Sequence, residues 1–545
     1  MMRTIPAGGH KGYGYSGAST TKRALKGFRA VSGSPREDID LNNYTLRQRG
    51  RLMYMGAPIA TSAVKTSRTN VIGLGLQLNP RPDLELLGLD QDRATEWVKK
   101  VKREFSLWAD KKDTCDATGI NNFYELQQLL VSSWLMSGDV FVLIQERDPV
   151  PGKPYRLRLR AIEADRIATP YEAGTASTII TTGKNPKNGN TIYDGVEVDK
   201  SGMAVAYYIR NTYPYEATQE QTKFVRVEAH GASGLPNIIQ IMNAERPDQY
   251  RGVTFLAPVI EKLLQINRYT EAEITAAIVQ SFLTGFVTKN DDASTNPFNE
   301  VGAGFPEEEA SHDPNEYEMG PGTMNYMEAG ESITFTDPSH PSTGFDAFVN
   351  SIVTQIGAGL DLPKEILLKA FDSSYSASRA ALMEAWKSFN MHRTWFINDF
   401  CNPVYELWLN EAVATGRIDA PGYFADPAIR AAWLNCEWIG PSQGMLDPTK
   451  EIQAEQMACE NGFSTHADSA LRLNGSDYDS NIEQLAREQD KVREYMGSSG
   501  PEESPEEETQ EETGNAAGVT RKEAKEMIKL LTDIKRNQII YAPES

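Results

Sequence analysis

Between Gly344 and Ala414 the apolar residues keep a helical period twice, and the stretch between the two runs can belong to neither helix. Phe345, Phe348, Val349, Ile352, Val353 and Ile356 recur at three and four residues, the mark of one buried helical face. Gly357 and Gly359 then predict its end. The segment from Asp361 to Tyr375 reads as a loop, because Pro363 blocks helical continuation and Asp372, Ser373 and Ser374 offer caps for the next helix. That second helix is predicted from Ser376 to Ala414, with Leu382, Trp386, Phe389, Phe396, Phe400, Val404 and Leu407 on its apolar stripe and a kink at Pro403. Unbroken, it would be about 55 Å long. The rest of the chain has to pack beside this pair.

A chain of 545 residues is too long for one core and predicts two to four domains. It has no run of eighteen apolar residues and no apolar core near its first residues, so a soluble chain made in a cytoplasm is expected, with no membrane partner. Cys115, Cys401, Cys436 and Cys459 form no close pair and are expected to be reduced. The net charge of -20 argues against tight duplex binding through phosphate neutralisation. The charge is uneven, however. Residues 1–51 hold ten lysines and arginines against three acids, which fits either a solvated arm or one that docks on an acidic partner or nucleic acid.

Residues 1 to about 40, rich in Gly, Ser and Ala, are expected to be largely disordered. Helices are predicted at Leu46 to Tyr54, Asp90 to Trp108 and Phe123 to Met136, and a strand-like run ends at Asn79. Strands are predicted at Val140 to Ile144, Arg156 to Glu163, a hairpin from Gly195 to Arg210, Phe224 to Val227 and Ile238 to Met242. Helices first and strands after them give an α+β class. A long helix opens near Thr254 and stops at Thr284. Residues 285–340 lack a sustained period and carry the acidic run Glu307, Glu308, Glu309. Helices are predicted again at Lys450 to Asn461 and Ile482 to Tyr495. An acidic stretch without folding capacity then leads to a short amphipathic helix bearing Ala524, Met527, Ile528, Leu531 and Ile534 on one face.

Motifs for phosphate loops, dinucleotide binding, zinc peptidases and nucleophile elbows are absent. The six histidines are scattered, His392 reads as a packing or surface residue, and Asp291-Asp292 is an ordinary loop pair. No catalytic residue, metal ligand or cofactor is nominated.

Several short pieces, in order and over roughly residues 45 to 495, resemble the lambda-like family of double-stranded DNA phage portal proteins. They are Asn70-Val-Ile-Gly-Leu-Gly-Leu, Cys115-Asp116 ahead of Phe123-Tyr-Glu-Leu-Gln127, Ser137-Gly-Asp-Val-Phe141, Gly195 to Asp199 through Tyr207-Tyr-Ile209, Arg246-Pro-Asp-Gln-Tyr-Arg-Gly252, Tyr375 to Ala381, and Asp447-Pro448. The resemblance implies a portal fold with an α/β wing, long stem helices, an irregular clip and a C-terminal helical crown. On this chain it implies a basic arm at 1–44, a wing at 45–250, stem helices at 251–284 and 341–360, and a clip at 285–340. A tunnel loop at 361–375, a long kinked helix at 376–414, wing completion at 415–497, an acidic linker at 498–519 and a crown helix at 520–545 complete it.

The same resemblance implies a non-enzymatic, cofactor-free homo-oligomer, typically a dodecamer, at one vertex of the virion capsid, assembled in the host cytoplasm. Its implied partners are the terminase large subunit, the major capsid protein, the head-tail connector protein and the double-stranded DNA that passes through it. Lys364 and Lys369 would face DNA, and Glu307, Glu308 and Glu309 would form an acidic partner surface on the clip. Ile366, Leu367, Leu368 and Phe371 are too apolar for a solvated loop and are expected to pack against neighbouring subunits. A sliding duplex also favours a mostly negative wall, since each neutralised phosphate would add to affinity and stall it. A helical scaffold or adaptor without a channel, or an enzyme of unrecognised type, are the alternatives; the first predicts a small oligomer instead of a ring near 0.7 MDa for twelve 60.5 kDa chains.

Overall fold

The computed structural model describes residues 22–25, 27–28, 33–171, 181–214, 216, 222–281, 285–289, 331–335, 344–371, 374–445 and 447–496, in two units, residues 1–478 and 479–545. Order begins earlier than the composition suggests. A widened helical turn at Arg36–Asp40 runs directly into helix α1, Leu41–Gly56, and α2 follows at Pro58–Val71 with its proline in the first turn. Strand β1, Gln77–Pro80, precedes helix α3 at Gln91–Ala109, whose start is fixed by the Asp90 carboxylate accepting from the Arg93 N–H at 2.8 Å. Helix α4, Phe123–Ser137, opens on a capping box: Asn122 accepts from the Glu125 N–H at 2.8 Å and Glu125 from the Asn122 N–H at 2.9 Å.

The strands form antiparallel sheets. Strands β2 (Asp139–Glu146), β3 (Leu157–Glu163) and β9 (Ile238–Met242) make one sheet with β2 central. A five-stranded meander contains β4 (Thr182–Lys184), β5 (Thr191–Tyr193), β6 (Val196–Val198), β7 (Ala204–Arg210) and β8 (Phe224–Glu228) in sequence order. The two three-residue strands β4 and β5 are too short to show a period. A buried carboxylate pins them: Glu197 accepts from Asn185, Asn188 and Asn190 of the β4–β5 turn, from Tyr208 on β7 and from Arg226 on β8. Although burial opposes it, this donor set holds Glu197 down at about 2.

The first long helix, α5, spans Ile260–Ser281 after a short 3-10 turn. Strands β10 (Gly285–Lys289) and β11 (Glu331–Phe335) pair antiparallel, so a ladder closes the base of a segment read as irregular; residues 290–330, with Glu307, Glu308 and Glu309, lie outside the described residues. Helix α6, Phe345–Gly359, packs on α5, with Tyr269 stacked on Phe345 at 5.6 Å and edge-on to Phe348 at 5.0 Å. A single helical turn α7, Lys364–Leu368, occupies the expected loop.

The second expected long helix begins at Tyr375 and is made of α8, Tyr375–Phe396, a π-helical turn at Ile397–Cys401, and α9, Asn402–Ala414. The predicted kink at Pro403 is thus preceded by one wider turn, in which the Asn402 N–H reaches back to the Ile397 carbonyl. That turn packs against β9. It also shifts the buried stripe: Leu407 is only half-buried, whereas Trp408 is completely enclosed. Helix α10, Pro427–Leu434, strand β12, Cys436–Ile439, paired with β1, and helices α11, Pro448–Glu460, and α12, His466–Asn474, complete the first unit. Helix α13, Tyr478–Met496, provides the described part of the second. The expected linker at 498–519 and crown helix at 520–545 lie outside the described residues.

One apolar core runs from α1 through α3 and α4 to the ends of α5 and α6 and along α8 and α9; its centre is aromatic, with Phe105 edge-on to Trp408 at 5.1 Å and to Phe123 at 5.5 Å. A smaller core lies between Phe141 and Ile162 of the three-stranded sheet and the inner face of the meander.

A buried ionic cluster joins these parts just ahead of α5. Arg251, wholly enclosed, pairs with Asp139 at 2.6 and 3.1 Å and with Asp194 at 2.8 Å, and donates to the carbonyls of Ala164 and Ile167. Arg47 bridges Asp165 (2.9 Å) and Asp194 (3.2 Å), and Arg51 bridges Asp165 (2.6 Å) and Glu163 (3.1 Å). Arg47 and Arg51, and Arg36 lying 3.7 Å above the Tyr193 ring, are therefore internal to the fold. Of the two readings of the basic residues up to Arg51, a solvated arm or one that docks on an acidic partner or nucleic acid, these three fit neither, because their partners lie in the same subunit. Against its burial, Asp139 and Asp194 hold Arg251 well above its ordinary value, while Arg47 and Arg51 hold Asp165 below its own.

Asp40, 6 % exposed, is the odd member: burial, then Asp194, push its carboxyl up to about 7 despite Arg251 and Arg47. The native state therefore retains a proton there that the unfolded chain gives up near pH 4, and stability from this group is full below pH 4 and lost as pH rises through about 7. Asp399, pushed up to about 6 by burial, has the same sign and His392, pushed down by burial, the opposite. A difference measurement isolates Asp40. Asp40→Asn is expected to match the parent at pH 3, where the carboxyl is protonated in both states, and to exceed it in thermal midpoint at pH 8; equal midpoints at both values would show that the carboxyl is ionised freely.

Candidate functional site

The turn after α6 is dictated by its glycines. A Cβ on Gly357 would lie 2.3 Å from the Leu362 carbonyl oxygen, so only glycine lets the chain fold back here. The Gly357 carbonyl accepts from the N–H groups of Leu360 (3.1 Å) and Leu362 (2.9 Å), and Asp361 takes a left-handed φ of 52°. Gly359 brings the turn against Val259 at the start of α5, where a Cβ would sit 2.9 Å from its Cγ1. Pro363 then starts α7, and Lys369, with φ 54°, ends it. The Ser62 hydroxyl on α2 donates to the Leu367 carbonyl at 2.7 Å and ties this turn to the body of the subunit.

This mounting divides the four apolar residues of the loop. Ile366 and Leu367, 6 % and 2 % exposed, join the subunit's own core, so they are not available to a neighbour. Leu368 and Phe371 remain 39 % and 54 % exposed. Lys364 and Lys369 both face solvent, at opposite ends of α7. The sequence carried a signal for α7 that the reading of Pro363 as a stop concealed, because a proline with an acid two residues on, here Glu365, is also how helices begin. Of the expected caps for α8, Asp372 and Ser373 lie outside the described residues and the Ser374 hydroxyl makes no capping bond.

Beside the loop, between the end of α6 and α8, lies an open groove of about 480 Å³ lined by Thr354, Ala358, Leu362, Pro363 and Met391 among others. Asp361 and Glu384 stand on its rim, the latter paired with Lys387 at 2.6 Å. Behind it His392 packs edge-on to Trp134, Phe255 and Trp395, at 5.6, 6.2 and 5.3 Å. Burial pushes its pKa down, which makes it a neutral packing residue. Among the described residues no group of three His, Cys, Asp or Glu side chains could hold a metal ion, and no helix is long and apolar enough to cross a membrane. What this arrangement can do chemically is present two cations and two apolar side chains at a fixed place.

Residues 21–393 match the family model for phage portal proteins of the lambda family. The chain is similar to portal protein B of Escherichia phage lambda, 23 % identical over 445 residues that cover 79 % of this chain and 80 % of that one. It is also similar to the portal protein of Escherichia phage N15, 24 % identical over 446 residues covering 79 % and 81 %. Among solved structures, it is similar to a chain in the neck of a native gene transfer agent particle, with 14 % identity, a TM-score of 0.40, and coverage of 83 % of this chain and 98 % of that one.

Proposed function

The chain belongs to the lambda family of phage portal proteins, a structural and non-enzymatic component of the capsid, and from that premise we propose how its parts divide the work of a DNA channel. Copies of the chain, twelve in number, close into a ring at one capsid vertex of the virion after assembly in the host cytoplasm. Residues 251–284 and 341–360 line the channel as stem helices, and 285–340, with Glu307, Glu308 and Glu309, form the clip that meets the terminase large subunit and later the head-tail connector. The α+β body from 45 to 250, completed by 415–497, is the wing that meets the major capsid protein.

The observation that supports this reading best is the rigid mounting of residues 361–371. Gly357, Gly359 and the Ser62 bond fix the turn to the base of both long helices, which suits a loop that must hold its place against a moving duplex. Lys364 and Lys369 then meet the phosphates as two isolated cations per subunit, in a chain otherwise strongly acidic. Few contacts of this kind leave the duplex free to slide.

Negative-stain imaging of the purified chain tests the ring: particles with a central hole support it, and monomers or small compact oligomers at all concentrations refute it. The DNA contact has its own test. Lys364→Ala with Lys369→Ala is expected to lower packaging in a terminase-driven assay by roughly twofold or more and to weaken its salt dependence. Wild-type packaging at every salt concentration would remove both lysines from the DNA path.

A further inference from the structure

Two features of the loop have no occupant within a subunit. Leu368 and Phe371 stand exposed at and just past the end of α7, and the groove between α6, the loop and α8 is open on one side. Neither residue lines the groove of its own chain. We infer that Leu368 and Phe371 of one copy seat in this groove on the next copy, a contact that repeats around the ring and that rests on the ring reading above.

Size and chemistry favour a second copy as the occupant. About 480 Å³ is room for both side chains together, since pockets that enclose whole small ligands begin at roughly 300 Å³. Gly357 and Ala358 leave the floor without bulk, and Leu362 makes it apolar. Met391, 44 % exposed, offers a flexible thioether on which an aromatic ring packs well. The charges allow it as well: Asp361 and Glu384 at the groove are balanced by Lys364 and Lys387, so two uncharged side chains enter it against no net charge.

Knob and groove are different surfaces, so the contact is head-to-tail. Such a contact propagates, and when its rotation closes it makes a ring. A pairwise, self-complementary dimer would not arise from it. The constriction formed in this way couples neighbours through the side chains that α7 leaves outside the core.

The test is disulfide trapping in the assembled full-length chain. Phe371→Cys with Met391→Cys is one pair and Leu368→Cys with Ala358→Cys a second, each at exposed positions. The unmodified chain and each single variant serve as background. Mild oxidation of rings already seen by negative stain is expected to give a denaturing-gel ladder that climbs past the dimer, from at least one pair and from no single variant. Rings that yield only monomers from both pairs, or stop at dimers, overturn the inference and leave the ring reading intact. Failure of the unmodified chain to form rings would instead overturn the reading on which it rests.

Discussion

Asp139→Ala is expected to cost the subunit about 3–5 kcal/mol of folding stability, because it leaves the guanidinium of Arg251 enclosed without its bidentate partner. Arg251 has no exposure through which water could replace the lost carboxylate. Asp194 remains at 2.8 Å, but it also serves Arg47. The same carboxylate of Asp139 accepts the Gly252 N–H at 3.0 Å, so the substitution also orphans a buried backbone donor. Asp38→Ala gives the scale for comparison. Its partner Arg246 is 39 % exposed and Asp38 is 42 % exposed, so that pair should contribute less than about 1 kcal/mol. Urea unfolding of the unassembled subunit, followed by tryptophan fluorescence, measures both; similar midpoints for the two variants would deny the buried cluster its role.

Gly252→Ala should be comparably severe, for a steric reason. A Cβ at Gly252 would lie 1.9 Å from the carbonyl oxygen and 2.4 Å from the carbonyl carbon of Gly138, and both atoms are backbone. Gly138 cannot give way easily, since it holds φ at 92° and its own Cβ position is filled by Gly252 and Val253. A clash of this depth has to move either the α4–β2 turn or the lead into α5, and a loss of about 3 kcal/mol or more is expected. Gly56→Ala is the control, because nothing lies within 4 Å of a Cβ there and its φ is ordinary. The pair of thermal midpoints decides it: equal values for the two alanine variants would mean that the crossing relaxes without penalty.

Periodicity and punctuation made much of the fold legible in the sequence. The helices at Gln91–Ala109 and Phe123–Ser137, the hairpin β6–β7 and strand β9 lie within a few residues of expectation, since each has a full period and a cap or turn residue at its ends. The rest depends on contacts between distant residues. Strands β4 and β5 exist because Glu197 gathers three asparagines from the turn between them. Arg47 and Arg51 looked like part of a basic arm because nothing local reveals that Asp165 and Asp194, more than a hundred residues away, neutralise them. The division of Ile366 and Leu367 from Leu368 and Phe371 likewise needed the position of α2.

The short pieces that carried the family resemblance acquire a physical meaning in the folded chain. Arg246 to Gly252 supplies Arg246 to Asp38, Gln249 to the backbone at Glu245 and Arg246, Tyr250 to the stack on Tyr193, Arg251 to the buried cluster and Gly252 to the crossing with Gly138. Ser137 to Phe141 contributes the other half of that crossing and Asp139. Asp116 accepts from the N–H groups of Thr118, Ile120 and Asn121 and shapes the entry to α4. These segments hold the α+β body and the lead into α5 together.

The π-helical turn at Ile397–Cys401 acts as a gear between the two halves of the long helix. One extra residue in a turn advances the following side chains by about 100° relative to an unbroken α-helix. Upstream of it α8 can offer Glu384, Lys387 and Met391 to the groove while Trp386 and Phe389 face inward. Downstream, the stripe re-indexes to Val404, Tyr405, Trp408, Leu409 and Ala412, which face the aromatic core around Phe105. A single straight helix would have to serve the groove and that core from one phase; the inserted residue lets each half keep its own.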